Sequence, residues 1–208
     1  MSVEQSTREG AAALGISLPE GAAARMAQHV ALIEKWNRVH NLTAVREPAQ
    51  MAILHVLDSL SLVPHIGEVR SVLDVGTGAG FPGIPVALAR PDLPVTLLDS
   101  SHKKATFLEQ AKSELKLANV TVTCERVEQF RPTVGFDVLV SRAFADLSDF
   151  VALAGHLLAP GGRILAMKGV YPYEEIGRIP EAFRVSEVLE LKVPSLDAKR
   201  HLVRIEAA

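Results

Sequence analysis

The clearest chemical pattern runs from Asp74 to Gly80, where a carboxylate is followed by three alternating glycines in the sequence DVGTGAG. An apolar run, Val72 to Val75, leads into it, which is typical of a buried strand that ends in a tight turn before a helix. Glycine allows a positive φ and lets a ligand lie against the backbone. A second carboxylate, Asp99, ends the next apolar run. The pattern predicts a ligand-binding loop in a nucleotide-type α/β domain.

Gly78 to Gly83 matches the G-x-G-x-x-G fingerprint of dinucleotide-binding proteins. That ligand needs free backbone N–H groups for its pyrophosphate, and Pro82 and Pro85 remove two of them. Asp74 would also place a negative charge near the phosphates. These three residues disfavour a dinucleotide.

The same segment fits the D-x-G-x-G-x-G pattern of S-adenosylmethionine-dependent methyltransferases, whose cofactor carries an ammonium and a sulfonium but no phosphate. We therefore predict that Asp74, Gly76 and Gly78 contact S-adenosylmethionine and that Asp99 accepts hydrogen bonds from its ribose hydroxyls. A glycine-rich turn without a ligand is the alternative. It leaves a carboxylate in a buried strand unexplained.

The elements that position this loop change character along the chain. Residues 1–65 are predicted to be helical: Met26, Val30 and Ile33 share one helix face, and a second helix begins at Pro48. Residues 66–208 alternate strands and helices, which predicts an α/β, Rossmann-like, mostly parallel seven-stranded sheet with an antiparallel C-terminal strand pair. We expect the N-terminal region to form a helical cap on this methyltransferase domain.

Composition narrows the class of protein. The chain has 208 residues, 48% of them hydrophobic and 22% charged, with a net charge of −2, as expected for one soluble globular unit. A single cysteine, Cys124, excludes an internal disulfide framework, and we predict no metal site. No apolar run suits a membrane span, and the first residues do not resemble a signal peptide, so we expect a cytoplasmic protein.

Seven segments, one of which contains the glycine loop, give the chain a specific resemblance. It resembles the bacterial 16S ribosomal RNA guanine-N7 methyltransferases, also called glucose-inhibited division protein B. The matching segments are WNRVHNLTA (36–44), HVLDSL (55–60), LDVGTGAGFPGIP (73–85), LLDSSHKKATFL (97–108), SRAFADL (141–147), MKG (167–169) and RHLVRIE (200–206). The resemblance implies transfer of a methyl group from S-adenosylmethionine to a guanine of 16S ribosomal RNA. It also implies cofactor contacts at Gly76, Phe81, Val127, Glu128 and Arg142.

The absent motifs agree with a ring nitrogen as the methyl acceptor. Guanine N7 has an in-plane lone pair and loses no proton, so the enzyme must mainly align it with the methyl group and exclude water. The N/D-P-P-Y/F motif of amino-group methyltransferases is missing after the fourth predicted strand, where Ser141 to Phe144 stand instead. Cys124 has no basic residue beside it in sequence, so we expect a small buried side chain and not a nucleophile.

Arg142 is the best candidate for positioning a substrate, because it ends a strand at the edge where ligands bind in open α/β sheets. It could hold guanine O6, a phosphate or the cofactor carboxylate. The alternative is an ion pair with Asp74 or Glu128. Phe144 could stack on a flipped-out base or belong to the core.

Basic residues near predicted loop ends are candidates for RNA contacts, although single basic residues are usually solvated surface. They are Lys103, Lys104, Lys168, Lys199 and Arg200. His55 and Asp58, three residues apart on a predicted helix, are expected to seal or support the cofactor pocket.

Two other functions stay open: a small-molecule methyltransferase of the same fold, and an RNA-binding module with a degenerate cofactor loop. The first predicts a closed, apolar pocket beside Gly78, and the second predicts decay of the Asp74–Gly80 pattern. We expect a monomer that acts on 16S ribosomal RNA, free or within an assembling or complete small subunit, and no membrane partner.

Overall fold

The computed structural model describes residues 1–142, 144 and 146–208, and its N-terminal part is helical, as predicted. The second helix begins at Ala22, directly after Gly21, which has a left-handed conformation. A helix does begin at Pro48, but a π-helical segment interrupts it. The elements are α1 (Val3–Ala13), α2 (Ala22–Asn37), α3 (Pro48–Met51), the π-helical segment Ala52–Leu57, α4 (Asp58–Leu60) and α5 (Val63–Ile66).

Strands and helices alternate from residue 72 onward. Short β-branched runs form the buried strands, and helices with one apolar face cover them. The elements are β1 (Val72–Val75), α6 (Gly83–Ala89), β2 (Val95–Asp99), α7 (His102–Glu114), β3 (Val120–Cys124), β4 (Phe136–Ser141), α8 (Leu147–Ala154), a 3₁₀ turn (Gly155–Leu157), β5 (Leu158–Lys168), α9 (Tyr173–Ile176), β6 (Phe183–Glu190) and β7 (His201–Ala207).

The strands form one seven-stranded sheet in the order β3-β2-β1-β4-β5-β7-β6. The first five strands of the chain are parallel, and β7 lies antiparallel between β5 and β6, which confirms the predicted topology. The strand order reverses between β1 and β4. Ligands bind at such a switch point, outside the carboxyl ends of the strands.

The run from Pro160 to Gly162 lies inside a strand. The helix before it ends at Ala154, and β5 already begins at Leu158. Leu158 pairs with Phe136, and the register then shifts before regular pairing resumes at Arg163. The proline–glycine run thus belongs to an irregular first part of β5, because this part of the strand pairs with β4.

The sheet is covered on both faces. The helices of the N-terminal region share one hydrophobic core with α6 and α7, in which Met26, Ile33, Ile84 and Phe107 are fully buried. The helix α8 packs on the other face through Phe150 and its neighbours. No helix in the described parts of the chain has the length and apolar character that crossing a bilayer requires.

Candidate cofactor and substrate site

Asp74 stabilises the glycine loop between β1 and α6. Its Oδ2 accepts hydrogen bonds from Thr77 Oγ1 (2.6 Å) and Gly83 N (2.7 Å). Asp74 is fully buried, and burial raises the pKa of its carboxyl to about 6 against the effect of these two hydrogen bonds. Gly76 and Gly78 both have a positive φ and form the turn in front. Cofactor contact by Asp74 stays a prediction, because its buried carboxylate contacts the loop itself.

Asp99, at the end of β2, lies against the front of the loop. Its Oδ2 accepts from Gly78 N (3.0 Å) and its Oδ1 from Ser101 N (3.0 Å), while Lys104 Nζ lies 3.4 Å from Oδ2. A cleft of about 240 Å³ opens beside it. Its lining includes four of the predicted cofactor residues: Gly76, Asp99, Val127 and Glu128.

A second cavity, of about 180 Å³, continues from Gly76 on the other side of the loop. The predicted cofactor residues Gly78, Phe81 and Arg142 line it, together with Thr43 and His55 from the N-terminal region. The two cavities bring together every predicted cofactor residue except Asp74.

Arg142 is held by the N-terminal region. Its Nη1 donates to Asp58 Oδ2 (2.9 Å) and to the Leu54 carbonyl (3.2 Å), and its guanidinium carbon lies 5.4 Å from the centre of the Phe81 ring. The ion pair with Asp74 or Glu128, considered from the sequence, is therefore wrong: the carboxylate partner is Asp58. Arg142 Nε is buried and has no hydrogen-bond partner among the described residues.

Asp58 joins two arginines. It is 4% exposed, and while Oδ2 accepts from Arg142, Oδ1 accepts from Arg200 Nε at 3.0 Å. A third cavity, of about 440 Å³, opens at this bridge. Its lining includes His55, Asp58, Arg142, Lys168 and Arg200. His55 and Arg142 thus belong to both the second and the third cavity.

Two histidines surround Phe81 and are held neutral. His55 Nε2 lies 2.8 Å from Thr43 Oγ1, and burial followed by the charge of Arg142 lowers its pKa to about 4. His29 on α2 is fully buried, its Nε2 donates to the Ala79 carbonyl (2.8 Å), and burial lowers its pKa to about 4 as well. Their rings lie 4.9 Å and 4.8 Å from that of Phe81.

His29 and Thr43 were missed from the sequence. A signal for His29 existed: with Met26, Val30 and Ile33 it completes the i, i+3, i+4, i+7 face of the helix. A histidine in an apolar stripe indicates a buried hydrogen bond, but its partner, fifty residues away, is visible only in the fold.

The predicted RNA-contact residues fall into two groups. Lys103 and Lys104 lie at the start of α7, and Lys104 faces Asp99 inside the 240 Å³ cleft. Lys168 and Arg200 line the third cavity, and each pairs with a carboxylate: Lys168 with Glu175 (2.8 Å) and Arg200 with Asp58. RNA contact by these residues and by the exposed Lys199 stays a prediction.

Phe144 and Cys124 were placed only broadly by the sequence. The Phe144 ring stacks on Phe150 at 4.6 Å, which ties it to the core cluster on that face of the sheet, and it also lines the 240 Å³ cleft. Cys124 is half-buried, not buried, and its Sγ lies 3.4 Å from His102 Nδ1. The basic neighbour that Cys124 lacks in sequence is therefore His102 of α7.

Within the described residues no three potential metal-ligating side chains converge.

The family model for rRNA small subunit methyltransferase G, named GidB, matches residues 22–203. The chain belongs to this family. It is 58% identical to the ribosomal RNA small subunit methyltransferase G of Nitrosospira multiformis, over 96% of this chain and 95% of that protein. Identity to the protein of the same name from Burkholderia pseudomallei is 56%, over 95% of this chain and 88% of that protein.

Solved structures show the fold that this GidB family member shares with more distant proteins. The O-methyltransferase TomG from Streptomyces achromogenes, solved with S-adenosylmethionine, matches with a TM-score of 0.63 at 14% identity. The match covers 100% of this chain and 99% of that one. The chain therefore has the fold of S-adenosylmethionine-dependent methyltransferases, as the sequence predicted.

Proposed function

We propose that this GidB family member transfers a methyl group from S-adenosylmethionine to N7 of a specific guanine in 16S ribosomal RNA, in the cytoplasm and as a monomer. One observation carries the proposal: Arg142 and His55 stand at the junction between a cavity formed by the glycine loop and a cavity lined by Lys168 and Arg200. The curated relatives are named for the same RNA class.

The residues around the loop fit S-adenosylmethionine. At one end, the cleft is lined by Gly76 and Asp99, and the Asp99 carboxylate can accept hydrogen bonds from ribose hydroxyls. At the other end, Arg142 lines the second cavity, and its guanidinium can serve a carboxylate. We assign cofactor contacts to Gly76, Gly78, Phe81, Asp99, Val127, Glu128 and Arg142, with Asp74 holding the loop that they depend on.

Bound S-adenosylmethionine supplies a methyl group on a sulfonium: the N7 lone pair forms the new N–C bond while the C–S electron pair stays on sulfur. The chain's own residues then need to orient the guanine, and they do not need to remove a proton from it. Asp58 uses both oxygens on arginines, and His55 contacts Thr43 and is a weak base because burial and the charge of Arg142 lower its pKa to about 4. Neither side chain suits a general base, which agrees with an acceptor that loses no proton.

Arg142 can orient the guanine. Its side chain lines both the second and the third cavity, and a guanidinium donates well to guanine O6, which lies beside N7. Asp58 fixes this guanidinium, and Phe81 covers one of its faces. Thr43, His55 and Asp58 all come from residues 1–65, so we propose that the N-terminal cap completes the site of the methyltransferase domain.

The rival functions fit less well. A small-molecule methyltransferase predicts a closed, apolar pocket beside Gly78, but the cavity there is lined by Thr43, His55 and Arg142 and shares its wall with a larger one. A degenerate cofactor loop predicts lost contacts, but Asp99 still holds Gly78 N.

The decisive experiment uses small subunits from cells that lack the gene. The purified protein should add one radioactive methyl group per 16S molecule from labelled S-adenosylmethionine, and depurination-sensitive cleavage should place it on a guanine N7. Protein-free 16S RNA tested in parallel shows which form is the substrate. No incorporation into either form, with calorimetry detecting no S-adenosylhomocysteine binding, would refute the proposal.

A further inference from the structure

The segment that follows β5 exposes an unusual amount of hydrophobic surface. Val170 is 74% exposed, Tyr171 38% and Tyr173 78%. The other exposed large hydrophobic side chains of the described residues occur singly along the sequence. A contiguous exposed patch of this kind commonly marks an interaction site.

The two tyrosines form an ordered pair. Their ring centroids are 4.2 Å apart at an angle of 36°, and Tyr173 N donates to the Tyr171 carbonyl at 3.1 Å. The edge of Tyr171 meets the ring of His201, with 5.6 Å between centroids. Tyr171 is thus supported by β7, while Tyr173 keeps most of its ring accessible.

This aromatic pair adjoins the cavity assigned to the substrate. Lys168 and Gly169 line the 440 Å³ cavity, and Tyr171 comes two residues later. His201, which supports Tyr171, pairs with Lys168 across the β5–β7 ladder and follows Arg200, another lining residue. The pair is therefore within reach of a nucleic acid strand that enters this cavity.

The charges around the pair are nearly balanced. Glu175 pairs with Lys168 and Asp146 pairs with Arg178, which leaves Glu174 as the remaining acidic group that lines this surface. With one acidic group left over, such a surface does not attract phosphates. It suits the flat, uncharged face of a nucleobase instead.

We infer that Tyr171 and Tyr173 form a stacking platform for a nucleobase of single-stranded RNA next to the target guanine. The inference rests on the proposed function, because it takes RNA as the substrate. Every base has a π-face, so an aromatic platform binds an unpaired strand with little sequence preference. A base stacked here would hold the strand while the guanine occupies the cavity.

Variants test the platform on small subunits that lack the methyl group. Tyr171→Ala with Tyr173→Ala should raise KM for the subunit by about fivefold to a hundredfold, with S-adenosylhomocysteine affinity and the unfolding temperature unchanged. Tyr171→Phe with Tyr173→Phe keeps both rings and should retain the wild-type KM. Val134→Ala, an exposed apolar change before the amino end of β4, is the matched control.

A second measurement uses the fact that the chain has only two tyrosines. In protein labelled with 3-fluorotyrosine, both fluorine resonances report on this pair, and single-stranded 16S fragments should shift them. Because stacking carries the contact, the alanine variant should lose affinity without a change in the salt dependence of binding.

The outcomes separate the platform from the methyl transfer. Wild-type KM for the alanine variant, or fluorine resonances unmoved by saturating RNA, overturns the platform while the proposed function stands. Loss of activity on subunits with unchanged affinity for protein-free 16S RNA also overturns it and points to a ribosomal protein as the partner. Absent methylation by the wild type refutes the proposed function, while RNA-induced fluorine shifts would still support the platform.

Discussion

The carboxylate of Asp58 accepts a hydrogen bond from the guanidinium of Arg142 at 2.9 Å, across eighty-four residues of sequence. Asp58 follows the π-helical segment of the N-terminal region, and Arg142 follows β4. This contact fixes the Arg142 side chain where the 180 Å³ and 440 Å³ cavities meet. Because the other oxygen of Asp58 accepts from Arg200, one buried carboxylate orients two cations that line the 440 Å³ cavity.

Replacing Asp58 should therefore affect both stability and methylation. Asp58→Ala leaves two half-buried guanidinium groups without their shared partner, and we expect a loss of about 2 kcal/mol in the free energy of unfolding. The kcat for RNA methylation should fall because Arg142 loses its orientation. Urea unfolding and methylation assays measure the two effects. Asp92→Asn removes an exposed pair with Arg90 and should cost under about 1 kcal/mol. Unchanged kcat in a folded Asp58→Ala protein would contradict this role.

The two lysines at the start of α7 should behave differently. Lys104 lies 3.4 Å from Asp99, so Lys104→Glu places two carboxylates together in the cleft and should weaken S-adenosylhomocysteine binding by about tenfold. Lys103 is exposed, and Lys103→Glu should leave cofactor affinity unchanged while it weakens RNA binding at low salt. Calorimetry with the two variants provides a matched comparison. Equal cofactor affinities would show that the Lys104–Asp99 pair has no part in binding.

Stability should fall as the pH drops from about 6.5 towards 4. His29 and His55 have pKa values of about 4 in the folded protein against an ordinary 6.5, so the unfolded chain binds more protons in this window. Each contributes up to about 3 kcal/mol of acid destabilisation by proton linkage. Asp74, whose pKa is raised to about 6, acts in the opposite direction and offsets part of it.

Urea unfolding at pH 7.5 and at pH 5 measures this slope. His29→Gln can still donate to the Ala79 carbonyl and does not titrate, so it should flatten the pH dependence. His156→Gln, which alters an exposed histidine, is the matched control. A His29→Gln slope equal to that of the wild type would show that His29 is not the buried neutral group.

Gly83 should be irreplaceable for steric reasons. A Cβ there would lie 2.2 Å from Leu97 Cδ2 and 2.8 Å from Asp74 Oδ2, so Gly83→Ala must displace the carboxylate that holds the loop. We expect a loss of about 1–3 kcal/mol and weaker cofactor binding. At Gly177 the added Cβ meets nothing closer than 3.8 Å, so Gly177→Ala should change neither property. Thermal unfolding and calorimetry compare the two, and equal results would contradict the steric argument.

The sequence by itself determined the features that depend on local pattern. The alternation of short apolar runs with amphipathic helices predicted seven strands, of which the last two form an antiparallel pair. The glycines between Asp74 and Gly80 identified the loop. Asp99 was found because a strand that ends beside such a loop must bring its last residue to the same edge of the sheet.

Tertiary structure determined which groups form ion pairs and hydrogen bonds with one another. The ion pairs of Asp58, Lys104 and Lys168 and the His29–Ala79 hydrogen bond depend on how helices dock over the strand ends, which periodicity does not encode. The π-helical segment shows why: its wider turn brings Val56 into the core and leaves Ile53 half-buried. Local pattern therefore reveals where the cofactor loop lies, while only the packing of the N-terminal helices shows what Arg142 is bound to.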